Sequence, residues 1–203
     1  MAHVCYFLLA FLSFFGFPAA PLQPQSNYFM NRIFLILSLL LIVAVGVAYY
    51  VLGGFKTADV KLETTAQPVF VAGKYFEGPA GSEAFGDLTR EAYEIRTSGK
   101  INGTFGNIFY NDPASSSEAA RVFVGLIVDD TTSQKLPAGY RYRVFPAGQR
   151  VLHSAIEASY LVAPGKLYTG IKSTAKEQSL TLQNIYLERF PTTGPVEVWA
   201  VVK

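Results

Sequence analysis

Residues 33–52 form an apolar run without a charge, broken only by Ser38. As a helix, about 20 such residues match the hydrocarbon thickness of a bilayer. Arg32 and Lys56 bracket the run, and Tyr49 and Tyr50 stand near its second end, where amphipathic rings favour the headgroup level. The pattern predicts a transmembrane helix over 33–52. A shorter apolar stretch over 4–17 precedes it and ends in the Pro, Ala and Gln of 18–25. At about 14 residues it suits a signal-peptide core better than a span. The alternative is that translation starts at Met30, which makes 1–29 an upstream extension.

Beyond Lys56 the pattern changes to that of a mixed domain over 57–203. A strand-like alternation from Val60 through Phe76 meets a Gly-Pro-Ala-Gly turn at 78–81. Ser82 is placed to cap a helix carrying Phe85, Leu88, Ala92 and Ile95 on one face, which Ser98 and Gly99 close. Strands follow over 107–110 and 121–129, separated by the Asn111-Asp112-Pro113 break and a polar loop at 114–118. The order then recurs. Alternation at Tyr140, Tyr142 and Val144 breaks at Pro146 and resumes from Arg150. Pro164 opens a second helix with Leu167, Tyr168 and Ile171 on one face, and Gly170 weakens it by roughly 1 kcal/mol relative to alanine. Strands over 185–190 and 196–202 end the chain. Two copies of strand, helix, strand, strand predict an α+β domain: one antiparallel sheet, both helices on one face, and a cleft on the other face at the pseudo-two-fold axis.

Composition narrows the chemistry. The chain has 203 residues and a net charge of +2, its cations scattered rather than striped, so no nucleic-acid partner is expected. One cysteine, Cys5, and two histidines, His3 and His153, rule out a disulfide or a zinc site in the domain, and no metal site is expected. His153 lacks a second ligand for haem, and no cofactor is expected. No nucleophile–histidine–acid set or phosphate-cradling loop is visible, so no catalytic residue is assigned. Asn102-Gly103-Thr104 fits a glycosylation acceptor but reads more simply as a turn, as does Asp112 before Pro113. Lys56 and Lys61 against Arg32 tilt the charge balance toward a cytosolic domain.

Three stretches resemble the GyrI-like small-molecule-binding domain, also called the effector-binding domain, over about 60–203. They are Gly106-Asn107-Ile108-Phe109-Tyr110-Asn111-Asp112-Pro113, Arg121-Val122-Phe123-Val124-Gly125, and the closing Val196-Glu197-Val198-Trp199-Ala200-Val201-Val202. Tyr142-Arg143-Val144-Phe145-Pro146-Ala147, taken with the span, is similar to the membrane-anchored testis-expressed family of receptors for autophagy of the endoplasmic reticulum. That family carries its autophagy motif in a long acidic tail. This chain stops at Lys203, so the motif's activity is not expected here. GyrI-like domains often place a cleft-facing glutamate just before the hydrophobic-Tyr of the penultimate strand. In Gln183-Asn184-Ile185-Tyr186-Leu187-Glu188 that place falls on Asn184, and a slip of register would bring Glu188 or Glu197 to it. An amide cannot act as a general base at neutral pH, which argues against the cyclopropanoid hydrolase activity known in the family.

The expected ligand-binding residues are Trp199, Glu197, Tyr186, Asn184, Tyr110 and Phe145. Trp199 and Glu197 share a strand face, where an indole and a carboxylate could hold an organic cation. The expectation is a single-pass membrane protein, not an enzyme, whose domain binds a small hydrophobic or amphipathic molecule. The alternative is a membrane-tethered adaptor with a vestigial pocket and a protein partner.

Overall fold

The computed structural model describes residues 27–113 and 119–203. The extension ahead of residue 27 and the loop at 114–118 lie outside the described residues. The chain divides into two compact units, one ending at Val45 and one running from Gly46 to Lys203.

Helix α1 spans Asn27–Val51, and its stretch Asn31–Val51 is long and apolar enough to cross a membrane. At about 1.5 Å per residue that stretch covers roughly 30 Å. Gly53 ends the helix: its φ of +77° favours glycine at the position after a helix C-terminus. A Cβ there would also lie 2.9 Å from that of Ala158.

The second unit is α+β. Its elements are β1 (Asp59–Thr64), β2 (Val69–Gly78), α2 (Glu83–Thr97), β3 (Thr104–Phe109), β4 (Ala120–Val128), β5 (Arg141–Phe145), β6 (Arg150–Ile156), α3 (Ala163–Glu177), β7 (Leu182–Phe190) and β8 (Val196–Val202). Ser82 caps α2 by accepting from the Phe85 N–H, while Ala92 and Ile95 turn inward. Pro164 occupies the first turn of α3, which buries Leu167, Tyr168, Ile171 and Ala175.

The eight strands form one antiparallel sheet in the order β1-β6-β8-β7-β3-β4-β2-β5. Exchanging the strands of one repeat for those of the other (β1 for β5, β2 for β6, β3 for β7, β4 for β8) turns this order into its own reverse. The pseudo-two-fold axis therefore runs between β3 and β7. Each repeat also places its leading strand in the other's half of the sheet, β1 beside β6 and β5 beside β2.

The leading strand expected from Val60 through Phe76 is split in two by the link 65–68, and that of the second repeat is interrupted over 146–149, where the break at Pro146 was expected. Each link joins strands six positions apart in the sheet. In a flat sheet those positions would be about 29 Å apart, and five Cα steps reach at most roughly 18 Å. The sheet must therefore curl. The links are knitted where it does so: Thr65 N–H donates to the Gln149 carbonyl, Gly148 N–H to the Thr65 carbonyl, and Thr65 Oγ1 to the Pro146 carbonyl.

Both faces are packed. Under the helices lie Phe109, Val122, Val124, Leu152, Tyr186, Val198 and Ala200 with Leu167, Tyr168 and Ile171. Inside the curl, on the other face, lie Val71, Ile108, Phe123, Phe145, Val151, Leu187 and Val201.

Candidate functional site

Cross-strand register decides what meets at the axis. Beneath the helices, β3 and β7 pair Phe105 with Phe190, Asn107 with Glu188, and Phe109 with Tyr186. Glu188 is 6% exposed. Tyr168 on α3 donates its hydroxyl to Glu188 Oε1 at 2.7 Å, and Asn107 Nδ2 donates to Oε2 at 3.0 Å. Burial raises the Glu188 carboxyl above the ordinary range, and the two donors partly offset it. The same burial, with the neighbouring Glu188 charge, raises the Tyr168 hydroxyl well above its usual value. Asn107 Oδ1 is buried with no partner. This network of an acid, a phenol and an amide sits on the symmetry axis.

One step outward along the same strands, Phe105 and Phe190 meet at a tilt with ring centres 5.8 Å apart and form the floor of a groove of about 440 Å³. Gly86, Thr89, Arg90, Tyr93 and Arg96 of α2 make one wall, and Tyr160 makes another. These α2 residues recur at helical spacing on a face distinct from the buried Ala92 and Ile95. Tyr160 stands edge-on to Phe190 at 5.7 Å and donates to the Pro191 carbonyl. Apart from the guanidinium rim the lining is nearly all apolar, as small-molecule sites are.

The other face differs from the expectation. At the axis it holds Ile108 and Leu187, each 2% exposed, so the core fills the place where a cleft was expected. A cavity of about 600 Å³ opens beside it, beneath the 65–68 link, lined among others by Glu63, Asp129, Leu187, Arg189 and Trp199. Two of its charged residues, Glu63 and Arg189, have partners nearby. His153 Nδ1 lies 2.9 Å from Glu63, its Nε2 is 3.7 Å from Glu197, and Arg189 is 3.6 Å from Glu197. The Trp199 indole N–H is buried without a partner.

The six expected site residues do not converge. Trp199 and Glu197 share this second face, with Phe145 against the indole at 6.2 Å. Phe145 is fully packed in the curl rather than lining an opening. Tyr110 is on the same side but in a separate shallow pocket with Tyr75, Arg121 and Arg143. Tyr186 is on the opposite side, under the helices, edge-on to Tyr168 at 5.6 Å, its hydroxyl pushed up to about 12 by burial and then by Asp112. Asn184 is exposed at an irregularity of β7, where φ is +57°, a left-handed conformation that asparagine tolerates. Its presence is explained by backbone geometry. The buried acid of the penultimate strand is Glu188, one of the two residues that a register slip would supply. The groove residues Tyr93, Phe105, Tyr160 and Phe190 went unforeseen, because they come from four separate segments with no common sequence pattern.

Comparisons bear on this arrangement at the level of the fold. No protein-family model matches the chain, and no curated protein matches it. Among solved structures it is similar to an integron cassette protein from the mobile metagenome of Vibrio cholerae, VCH_CASS2. The TM-score is 0.52 at 10% identity, covering 73% of this chain and 97% of that one. What the two share is the α+β fold. The C-terminal domain of EcmrR aligns at 14% identity with a TM-score of 0.49, covering 72% of this chain and 97% of that domain. At such identities the likeness extends to the fold alone, and the chemistry rests on the residues described above.

Proposed function

We propose that this is a single-pass membrane protein whose GyrI-like domain is a binding module for a small hydrophobic or amphipathic molecule, held in the helix-face groove. The observation that carries this is the groove itself: four aromatic rings around an apolar space of about 440 Å³, next to the buried Glu188 network. The reading is of a binder and not an enzyme. Membrane anchoring is supported by α1, whose large side chains from Ile33 to Val51 are exposed. Left in water, each would forgo roughly 1.5–3 kcal/mol of burial. Lys56 and Lys61 after the span, against Arg32 before it, favour a cytosolic domain.

A second site has its own support in the Trp199 cavity, where the indole N–H lacks a partner. One experiment separates the two. The full chain in nanodiscs is screened with aromatic amphiphiles by hydrogen–deuterium exchange and by emission of its single tryptophan. Binding in the groove should protect α2 and the segment 157–163 and leave Trp199 emission unchanged. Quenched Trp199 without protection of α2 would move the site to the other face. No response at either place would leave the adaptor reading first.

A further inference from the structure

The groove has a location as well as a lining. Ser159 N–H donates to the Leu52 carbonyl at 3.0 Å, and Gly53 lies against Ala158. The segment leading into α3 is therefore fastened to the residues where the apolar helix ends. Tyr160, a wall of the groove, comes next, followed by Leu161, which is 83% exposed. Tyr50 and Phe55 present exposed rings at the same end of the chain segment, as residues of a headgroup belt do. If α1 crosses a bilayer, as the reading above has it, Leu52 is at the bilayer surface and the Tyr160 wall is beside it.

Charge selects among the molecules that a bilayer supplies. Arg90 at the rim is paired with Asp87 at 2.9 Å. Arg96 donates to the Thr192 hydroxyl and has no carboxylate partner among the described residues. A cationic headgroup would be repelled here, whereas a phosphate or carboxylate would find a guanidinium fork. The groove is at the small end of the usual range for ligand sites, roughly 300–1,000 Å³, which suits one chain and not two. Gly86 adds to this. It stands inside α2, where alanine would be the better helix former, and its missing side chain leaves the groove open, with nothing within 4 Å of the Cβ position.

We propose that the groove takes the acyl chain of a single-chain anionic lipid drawn from the adjoining leaflet, with Arg96 holding the headgroup. This rests on the groove and anchor readings given above, and the test keeps them apart. The full chain, in phosphatidylcholine nanodiscs, is irradiated with one of two diazirine probes of equal length, an alkyl phosphate or an alkyl ammonium. Crosslinks are mapped by mass spectrometry. The phosphate probe should label peptides holding Tyr93, Tyr160 or Phe190, and the ammonium probe should label them roughly tenfold less. Arg96→Glu should lower phosphate labelling by roughly tenfold, with Arg96→Lys retaining most of it. Gly86→Leu should abolish labelling without lowering the unfolding temperature, because it adds a good helix former in open space. If neither probe labels the groove, the groove itself is not a site. If both label it equally and Arg96→Glu changes nothing, the groove stands and the anionic-lipid assignment falls.

Discussion

Glu188 is the residue at which stability and site chemistry meet. Its carboxyl is raised by burial from an ordinary value of 4.5, so the folded chain keeps that proton to higher pH than the unfolded chain does. Its contribution to stability is therefore greatest below about 4.5 and falls as pH climbs through that value toward the folded one. Glu188→Gln removes this slope. Asn107 can accommodate the amide by turning its own, so that the now unpartnered Oδ1 accepts from the new side chain. Urea unfolding at about pH 5 and about pH 8 should show the glutamine variant gaining on the parent as pH rises. Parallel curves would mean that Glu188 does not titrate differently on folding. Glu188→Ala should be destabilising throughout, by about 1–3 kcal/mol for each buried donor left without an acceptor.

At the scale of elements, two helical glycines make a controlled pair. A Cβ at Gly86 meets nothing within 4 Å, whereas at Gly170 it would be 3.0 Å from Val60 Cγ2 and 3.4 Å from Ala58 Cβ. Gly86→Ala should raise stability by about 0.5–1 kcal/mol, the helix-propensity difference. Gly170→Ala should gain nothing or lose, since β1 must move aside. Equal gains in thermal unfolding would show that β1 yields freely. Helix ends and strands were legible in the chain: the Ser82 cap, the Pro164 start and the strand expected over 121–129 all stand where the pattern puts them. The break at Pro146 was legible too; the split of the first leading strand was not, because alternation runs on either side of its link without revealing how far apart the sheet places the two ends. The scattering of the six expected site residues over both faces has a related reason. Alternation says that Trp199 and Glu197 share a face, but only the pairing of Leu187 with Trp199 shows that Tyr186 belongs to the other one. A shift of one residue in register exchanges the two faces.

For the whole molecule, the anchor gives the plainest expectation. The full chain should stay with membranes through an alkaline carbonate wash, and release into the supernatant would remove the reading of α1 as a span.

The placement of each leading strand in the other repeat's half of the sheet bears on ancestry and assembly. A polypeptide holding one repeat alone would have a strand with no place in its own sheet and an open edge awaiting another. Two such polypeptides satisfy each other about a two-fold axis, each lending its first strand, which makes an isologous dimer. This chain has the arrangement of such a dimer within one polypeptide, its two repeats joined through the segment between β4 and β5. Cut within residues 130–139, its two fragments should co-purify as a stoichiometric pair and unfold as one transition. Either fragment expressed by itself should dimerise or aggregate. A monomeric, cooperatively folded half would show that the exchanged strand is dispensable.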